Sequence, residues 1–322
     1  MRPGRARRTV PAVHEEISPP ELTQAIARLS ALFGPRQGGI RALEGGVSNR
    51  NLLVNFGGTD YVVRLPGKDT ELLGIDREAE RLATRRAADL GMAPRVAAML
   101  DHPPCLVTCY VEGKTMTAEE LRDPGVVAEV AHALRAFHDC GLELPGRFEP
   151  YELARHYADH VTASGAELPG GFEAAFERAG QIAATLGEHP EHRPKPTHND
   201  LLAANFLGTR ERVVIVDWEY AGMGDPFFDL GSFAANNEFS DDEEQRLLEA
   251  YFREPASPRR TAALKLLRFM SDLREAMWGV LQDVAPKLDF DFRGYAGMHF
   301  ERLTQSGGDP GFPRLLEEAR PR

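Results

Sequence analysis

One stretch limits what this chain can be. Thr197-His198-Asn199-Asp200-Leu201-Leu202-Ala203-Ala204-Asn205 has the spacing H-x-D-x-x-x-x-N, and Val213-Val214-Ile215-Val216-Asp217-Trp218-Glu219 follows closely. The second piece opens as a short apolar run and reads as a buried strand, so Asp217 stands at its end, where a fixed charge can face a cleft. The residue types suit transfer chemistry on oxygen. Asp200 can orient an attacking hydroxyl and accept its proton. An Asn oxygen and a second carboxylate, Asn205 and Asp217, can hold Mg²⁺, a hard ion that prefers oxygen ligands. Either piece alone is commonplace, because Asn and Asp readily form turns through their own backbone. Together, in this order and this close, they predict a loop with a catalytic acid and a metal-holding pair.

The rest of the composition is compatible with that reading and excludes little else. A chain of 322 residues, 42% hydrophobic and 27% charged, suits one or two globular domains. Its net charge of −11 argues against general affinity for nucleic acid or an anionic membrane surface. No apolar run approaches the roughly 20 residues a membrane-spanning helix needs. Cys105, Cys109 and Cys140 are too few for a disulfide framework, and Cys105 and Cys109 suit alternating core positions on one strand. A reducing cytoplasm fits. Arg2, Arg5, Arg7 and Arg8 precede no apolar segment, so residues 1–18 are expected to be a disordered basic tail and not a secretory signal.

Along the chain, a helix is expected over Glu21–Phe33, stopped by Gly34-Pro35. A strand from Ile40, a glycine turn at Gly45-Gly46, a strand through Leu52–Phe56, a second turn at Gly57-Gly58 and a strand over Tyr61–Leu65 follow. The first turn, with Ser48 and Asn49 behind it, can lie over phosphates and offer them backbone N–H groups, although a plain hairpin turn has the same sequence. Arg64 is an always-charged fork able to bind phosphate, or a solvated edge residue. Gly74–Leu90 is the next helix; its periodicity does not choose between Glu78 and Glu80 as a partner for Arg64. Two more strands, Val96–Leu100 and Cys105–Tyr110, lead into a candidate hinge at Val111-Glu112-Gly113, where backbone near Cys109 and Val111 can meet an adenine edge.

From Thr117 the pattern turns helical, over Val126–Asp139, Tyr151–Thr162, Phe172–Leu186, Phe233–Phe252 and Ala262–Val284. His132 and His138 read as packed or surface histidines. His156 and His160 have a metal-like spacing but no evident third ligand. Asp225 suits a helix N-cap before Pro226, and Asp229 either braces the catalytic loop or is a surface acid. Gly307–Arg322 is expected to be a loosely held tail.

These residues resemble the choline/ethanolamine kinase family, within the wider aminoglycoside-phosphotransferase and protein-kinase-like group. The resemblance runs from about Leu43 to about Phe300 and rests on Gly45-Gly46-Val47-Ser48-Asn49, Tyr61–Gly67, Ile75–Glu80, His198-Asn199-Asp200 with Asn205, and Val216-Asp217-Trp218-Glu219-Tyr220. It implies an α+β, two-lobed protein-kinase-like fold. The N-lobe, residues 19–111, would be an antiparallel sheet plus helix that binds nucleotide; the C-lobe, residues 112–322, would be mainly helical and carry catalysis and acceptor binding. It implies ATP as co-substrate, Mg²⁺ as cofactor and a small amino alcohol of the choline or ethanolamine kind as acceptor.

Asp200, Asn205 and Asp217 would be catalytic, with Glu219 helping a second metal. Gly45, Gly46, Ser48, Asn49, Arg64, Cys109 and Val111 would meet the nucleotide. The family places its helix Glu fourteen residues before the Pro ahead of the next strand; counting back from Pro94 selects Glu80. The family's aromatic box for a quaternary ammonium is matched by Trp278 and Tyr295, with Gln282 between them. Its first Trp stands here as Glu275, and an acid that the family carries on the helix after the Mg²⁺ Asp stands as Asn236. A carboxylate there suits hydrogen bonding to a primary or secondary amine. Without the resemblance, Trp278 reads equally as box or core. An aminoglycoside, thiamine or sugar kinase and a non-catalytic nucleotide-binding protein are the alternatives; Glu238, Asp241, Asp242, Glu243 and Glu244 could serve an aminoglycoside or simply open a helix.

Overall fold

Period-2 alternation builds the first of two units into which the chain divides. In the computed structural model, which describes residues 19–43, 49–67, 70–187, 189–284 and 290–320, this unit comprises residues 1–68, 97–110 and 286–291. Helix α1 (Pro19–Phe33) is followed by strands β1 (Arg36–Ala42), β2 (Asn49–Phe56), β3 (Thr59–Pro66), β4 (Val96–Asp101) and β5 (Pro104–Cys109). They form a five-stranded sheet in the order β1-β2-β3-β5-β4, with the β1–β2, β2–β3 and β3–β5 pairs antiparallel. Leu52, Val54 and Phe56 of β2, Val63 and Leu65 of β3 and Cys105 and Val107 of β5 alternate inward onto Ala25 and Leu29 of α1. The Cys105 thiol is pushed up to about 11 by that burial.

The Gly57-Gly58 turn has φ values of +58° and +85°, which a two-residue hairpin of the right twist requires. A Cβ at Gly57 would lie 2.4 Å from the Phe33 carbonyl oxygen, so glycine is needed there for space as well. The Gly45-Gly46 turn and Ser48 lie outside the described residues.

The second unit, residues 69–96, 111–285 and 292–322, is mainly helical. It holds α2 (Arg77–Asp89), β6 (Lys114–Thr115), α3 (Ala118–Leu121), α4 (Pro124–His138), α5 (Pro150–Ala163) and α6 (Phe172–Leu186). After these come β7 (Lys195–Thr197), β8 (Phe206–Gly208), β9 (Val213–Ile215), β10 (Gly222–Gly224), α7 (Pro226–Asn236), α8 (Asp241–Phe252), α9 (Pro258–Val284), α10 (Phe292–Gly307) and α11 (Phe312–Ala319). The 27-residue α9 is the hub, packed on α5, α6, α7, α8, α10 and α11. Its buried residues run round the whole helix, as a helix surrounded by others requires.

Three expectations are corrected. Phe233–Phe252 is not one helix: α7 ends at Asn236, Glu238 takes a φ of +57°, and Ser240 and Glu243 form a capping box that starts α8. Asn237 contributes to the break by donating its side-chain amide to the Phe233 carbonyl at 2.8 Å, the kind of local bond that competes with helix continuation. The Gly74–Leu90 helix starts only at Arg77, because Asp76 accepts the N–H groups of Glu78 and Ala79 as N-cap. Residues 307–320 are not a loose tail: Phe312 is 2% exposed, its ring centroid 5.7 Å from that of Phe269, and Arg178 lies over it. Phe312 and Ala319, seven apart, close one helix face onto α9, a pattern short enough to pass for a tail.

Candidate active site

The loop expected to carry the catalytic acid leaves β7 at Thr197 and is held from below by one carboxylate. Asp229, fully buried on α7, accepts the His198 N–H at 2.8 Å and the Asn199 N–H at 2.7 Å. Its Oδ2 also lies 2.9 Å from His138 Nε2 of α4, whose Nδ1 is 2.7 Å from the Tyr251 hydroxyl of α8. Burial alone would raise the Asp229 carboxyl; the bonds and charge of His138, with His198, bring it below the ordinary carboxylate range. Asp229 is therefore the brace, and His138 the packed histidine that steadies it. Asn199 has a φ of +68°, tolerable for Asn, and donates its side-chain amide to the Tyr220 carbonyl at 2.9 Å.

The same loop is tied to the strand that presents Asp217. His198 Nε2 donates to the Val216 carbonyl at 3.0 Å, and its Nδ1 accepts the Asp200 N–H at 3.2 Å. The two bonds together require the neutral Nε2–H tautomer. The Val216 N–H donates to the Asn205 carbonyl at 2.9 Å. Clamped on both sides, Val216 delivers Asp217 next to the loop, at a φ of +67°. Trp218 is buried behind it against His198 and Phe137. Asp200, Asn205 and Asp217 thus belong to one constellation within the second unit.

Asn205 turns its amide nitrogen to Asp200, donating to the backbone carbonyl at 2.8 Å and to Oδ2 at 3.0 Å. Its amide oxygen is thereby the atom left for a cation. With Asp217 and the 3%-exposed Glu219, the donors are oxygens alone. Among the described residues no cluster of three or more His, Cys, Asp or Glu side chains could cage a metal. A set of one amide and two carboxylates fits Mg²⁺, which keeps other oxygen ligands of its own, phosphates included. Glu80, 6% exposed, accepts from Arg77 at 2.6 Å, and Arg77 lies 3.6 Å from Glu219; Glu78 is exposed.

On the other side of Asp200 stands α9. Arg274 Nη1 donates to Asp200 Oδ1 at 3.2 Å and also to Glu275, while its guanidinium lies 4.2 Å from the Tyr220 ring centroid. The Tyr295 hydroxyl of α10 donates to Glu275 Oε2 at 2.6 Å. Trp278, half-buried, meets Tyr295 edge-on at 5.8 Å and Phe292 at 5.7 Å. Burial lifts the Asp200 carboxyl to about 7, against the pull of Arg274 and with the push of Glu275, Asp217 and Glu219. Burial would also raise Glu275, but Arg274, His299 and the Tyr295 hydroxyl hold it below its usual range.

The sequence reading does not single out Arg274, because hydrophobic periodicity assigns no role to a charge on an all-round-buried helix. The signal that could have found it is Arg274-Glu275 lying inside an otherwise apolar run. Of the remaining expected residues, Asn236 donates to Ser232 at 3.1 Å on the last turn of α7. Val111 lines an open depression of about 590 Å³ with Gly113, Gly208 and Arg210. In the first unit, Arg64 is buried on β3 between Asn51 and Leu106, Asn49 is buried at the start of β2, and Cys109 ends β5 half-buried. His156 and His160 are exposed.

Residues 39–265 match the family described as Phosphotransferase enzyme family. The chain belongs to the phosphotransferase enzyme family. Across it, a solved structure of a choline/ethanolamine kinase family protein from Mesorhizobium loti is 32% identical, covers 93% of this chain and 99% of its own, and superposes with a TM-score of 0.80. Ethanolamine kinase 2 of Mus musculus is 28% identical over 93% of this chain and 85% of its own length. Protein LicA of Haemophilus influenzae is 26% identical over 85% and 79%. This family member is accordingly an enzyme of the kinase type, with the α+β, protein-kinase-like fold the motifs implied. No helix among its described residues is long and apolar enough to cross a membrane.

Proposed function

We propose that this phosphotransferase moves the γ-phosphoryl group of ATP to the hydroxyl of a small amino alcohol of the choline or ethanolamine kind, with Mg²⁺. The single observation that carries the reading is the chain of contacts from a loop acid to an aromatic wall: Arg274 joins Asp200 to Glu275, and Tyr295 joins Glu275 to Trp278. The bond between the γ-phosphorus and the β,γ-bridging oxygen breaks, and its electron pair leaves with ADP. The acceptor hydroxyl oxygen bonds to phosphorus, and its proton passes to the Asp200 carboxylate. Asn205 and Asp217, with Glu219 beside them, would hold Mg²⁺, which neutralises phosphate charge when bound. The ring faces of Trp278 and Tyr295 attract an ammonium group, and the Glu275 carboxylate behind Tyr295 adds negative charge to that wall.

Several observations favour a small acceptor over an aminoglycoside. Three of the four acids at the start of α8 are already engaged: Asp241 pairs with Lys265, Glu244 with Arg268 and Lys265, and Glu243 closes the capping box. Glu238 lies 3.5 Å from Arg302. The test is ADP release over a panel of choline, ethanolamine, N-methylated ethanolamines, thiamine, sugars and aminoglycosides. An amino alcohol should give the highest kcat/KM, and Asp200→Asn and Asp217→Ala should each lower turnover by orders of magnitude in folded protein. Normal turnover in either variant, or a preference for an aminoglycoside, refutes the assignment.

A further inference from the structure

Nothing in the loop from His198 to Asn205 carries a permanent positive charge, yet the reaction moves a group whose negative charge spreads over three equatorial oxygens. The cation bonded to Asp200 comes from α9. Arg274 is 2% exposed; its Nη1 reaches Asp200 Oδ1, while Asn205 donates to Oδ2, so each oxygen of the acid has its own donor. The rest of the guanidinium is not used up. Arg274 Nε and Nη2 are buried and meet no hydrogen-bond acceptor among the described residues. A buried donor without a partner is costly, and two on one head group next to the reacting carboxylate point to an oxygen ligand that arrives with the reaction. A planar, always-charged fork suits phosphoryl oxygens. Glu275 and the Tyr220 ring keep the head group in place, and Tyr295 in turn holds Glu275.

We propose that Arg274 is a catalytic residue of the transfer, positioning Asp200 through Nη1 and donating from Nε and Nη2 to the phosphoryl group in transit. This rests on the phosphotransfer reading above, and not on which alcohol accepts. The bonds broken and formed are those already given; Arg274 gains and loses no proton.

The experiment compares Arg274→Lys, Arg274→Gln and Arg274→Ala with wild type, measuring kcat, both KM values, acceptor-independent ATP hydrolysis and thermal unfolding. Arg274→Gln should lower kcat on the order of 100-fold or more, the effect of removing a transition-state donor. Both KM values should stay within about threefold, because the interaction is made mainly in the transition state. Acceptor-independent hydrolysis should fall in parallel, since water receives the same phosphoryl group. Arg274→Lys should recover only part of the loss, being a point charge without the fork, and added guanidinium should partly restore Arg274→Ala.

Wild-type kcat in folded Arg274→Lys overturns the proposal. So does a rise in acceptor KM at unchanged kcat, which would make Arg274 a reader of the acceptor, or undiminished ATP hydrolysis. Failure of the conservative Arg274→Lys to fold also overturns it, by showing the arginine to be structural. Should wild type use ATP but turn over no amino alcohol, the acceptor assignment alone falls, and Arg274 is scored on the acceptor that is used.

Discussion

Replacing Asp229 tests how the loop that carries Asp200 is held. The carboxylate accepts two buried backbone N–H groups, from His198 and Asn199, and faces His138 Nε2. Asp229→Ala orphans all three. At about 1–3 kcal/mol per unsatisfied buried group, the two amides alone cost roughly 2–6 kcal/mol. That approaches the whole stability of a domain, about 5–15 kcal/mol. Asp229→Asn is the more informative change: one oxygen can still accept, one donor loses its partner, and the cost should be about 1–3 kcal/mol. For a unit of this size that corresponds to a Tm lower by roughly 5 °C.

Function should suffer more than stability. Asn199 sits at a positive φ with Asp229 on its N–H; once released, it relaxes and takes Asp200 with it, and misplaced groups lose on the order of 100-fold in rate. The assay is kcat and KM alongside thermal unfolding of Asp229→Asn.

The pH dependence has a definite sign. The folded Asp229 carboxyl is held below its usual range, so its contribution is full above the unfolded value of about 3.9 and is lost as pH falls through the lower folded value. Asp229→Asn should flatten that limb of the acid-unfolding curve. A variant with unchanged Tm, unchanged kcat and an unchanged acid limb would refute the brace.

Trp278→Ala should raise KM for the amino alcohol more than KM for ATP, by roughly tenfold if a desolvated cation–ring contact is lost; an unchanged acceptor KM would leave Trp278 a packing residue. Gly231→Ala should destabilise the second unit by about 1–3 kcal/mol through overpacking, because a Cβ there would lie 2.7 Å from the Leu267 carbonyl carbon and 2.8 Å from the Arg268 nitrogen. Thermal unfolding measures it, and a Tm equal to wild type would mean that α7 and α9 can separate without cost.

Local chemistry accounts for what could be read without coordinates. Loop spacing singles out Asp200 and Asn205, and an apolar run ending in an acid singles out Asp217, because each signal is contained within a few residues; the structure brings the three side chains into one constellation. The choice between Glu78 and Glu80 needs the family resemblance; the structure shows that Glu80 is buried and Glu78 exposed. Strand alternation in Leu52–Phe56 and Val63–Leu65 was legible for the same reason that a pleat has a period of two. The missed break between α7 and α8 lay in Asn237 and Ser240, whose side-chain bonds compete with the helix over one turn only.

What the amino-acid order determined by itself, then, was most of the elements, though not the α7–α8 break or α11, and the neighbourhood of three oxygen-bearing side chains on the loop and strand. The tertiary structure alone decided who stands around them: Asp229 and His138 beneath the loop, Arg274 and Glu275 beside the acid, Tyr295 behind them. Those partners lie 30 residues or more from Asn199 or Asp200 in sequence, as in the Asn199–Asp229 and Arg274–Asp200 bonds. No period or cap links residues that far apart. They meet only because α7, α9 and α10 pack their apolar faces together, and a buried charge must then find its counter-charge wherever the packing has placed it.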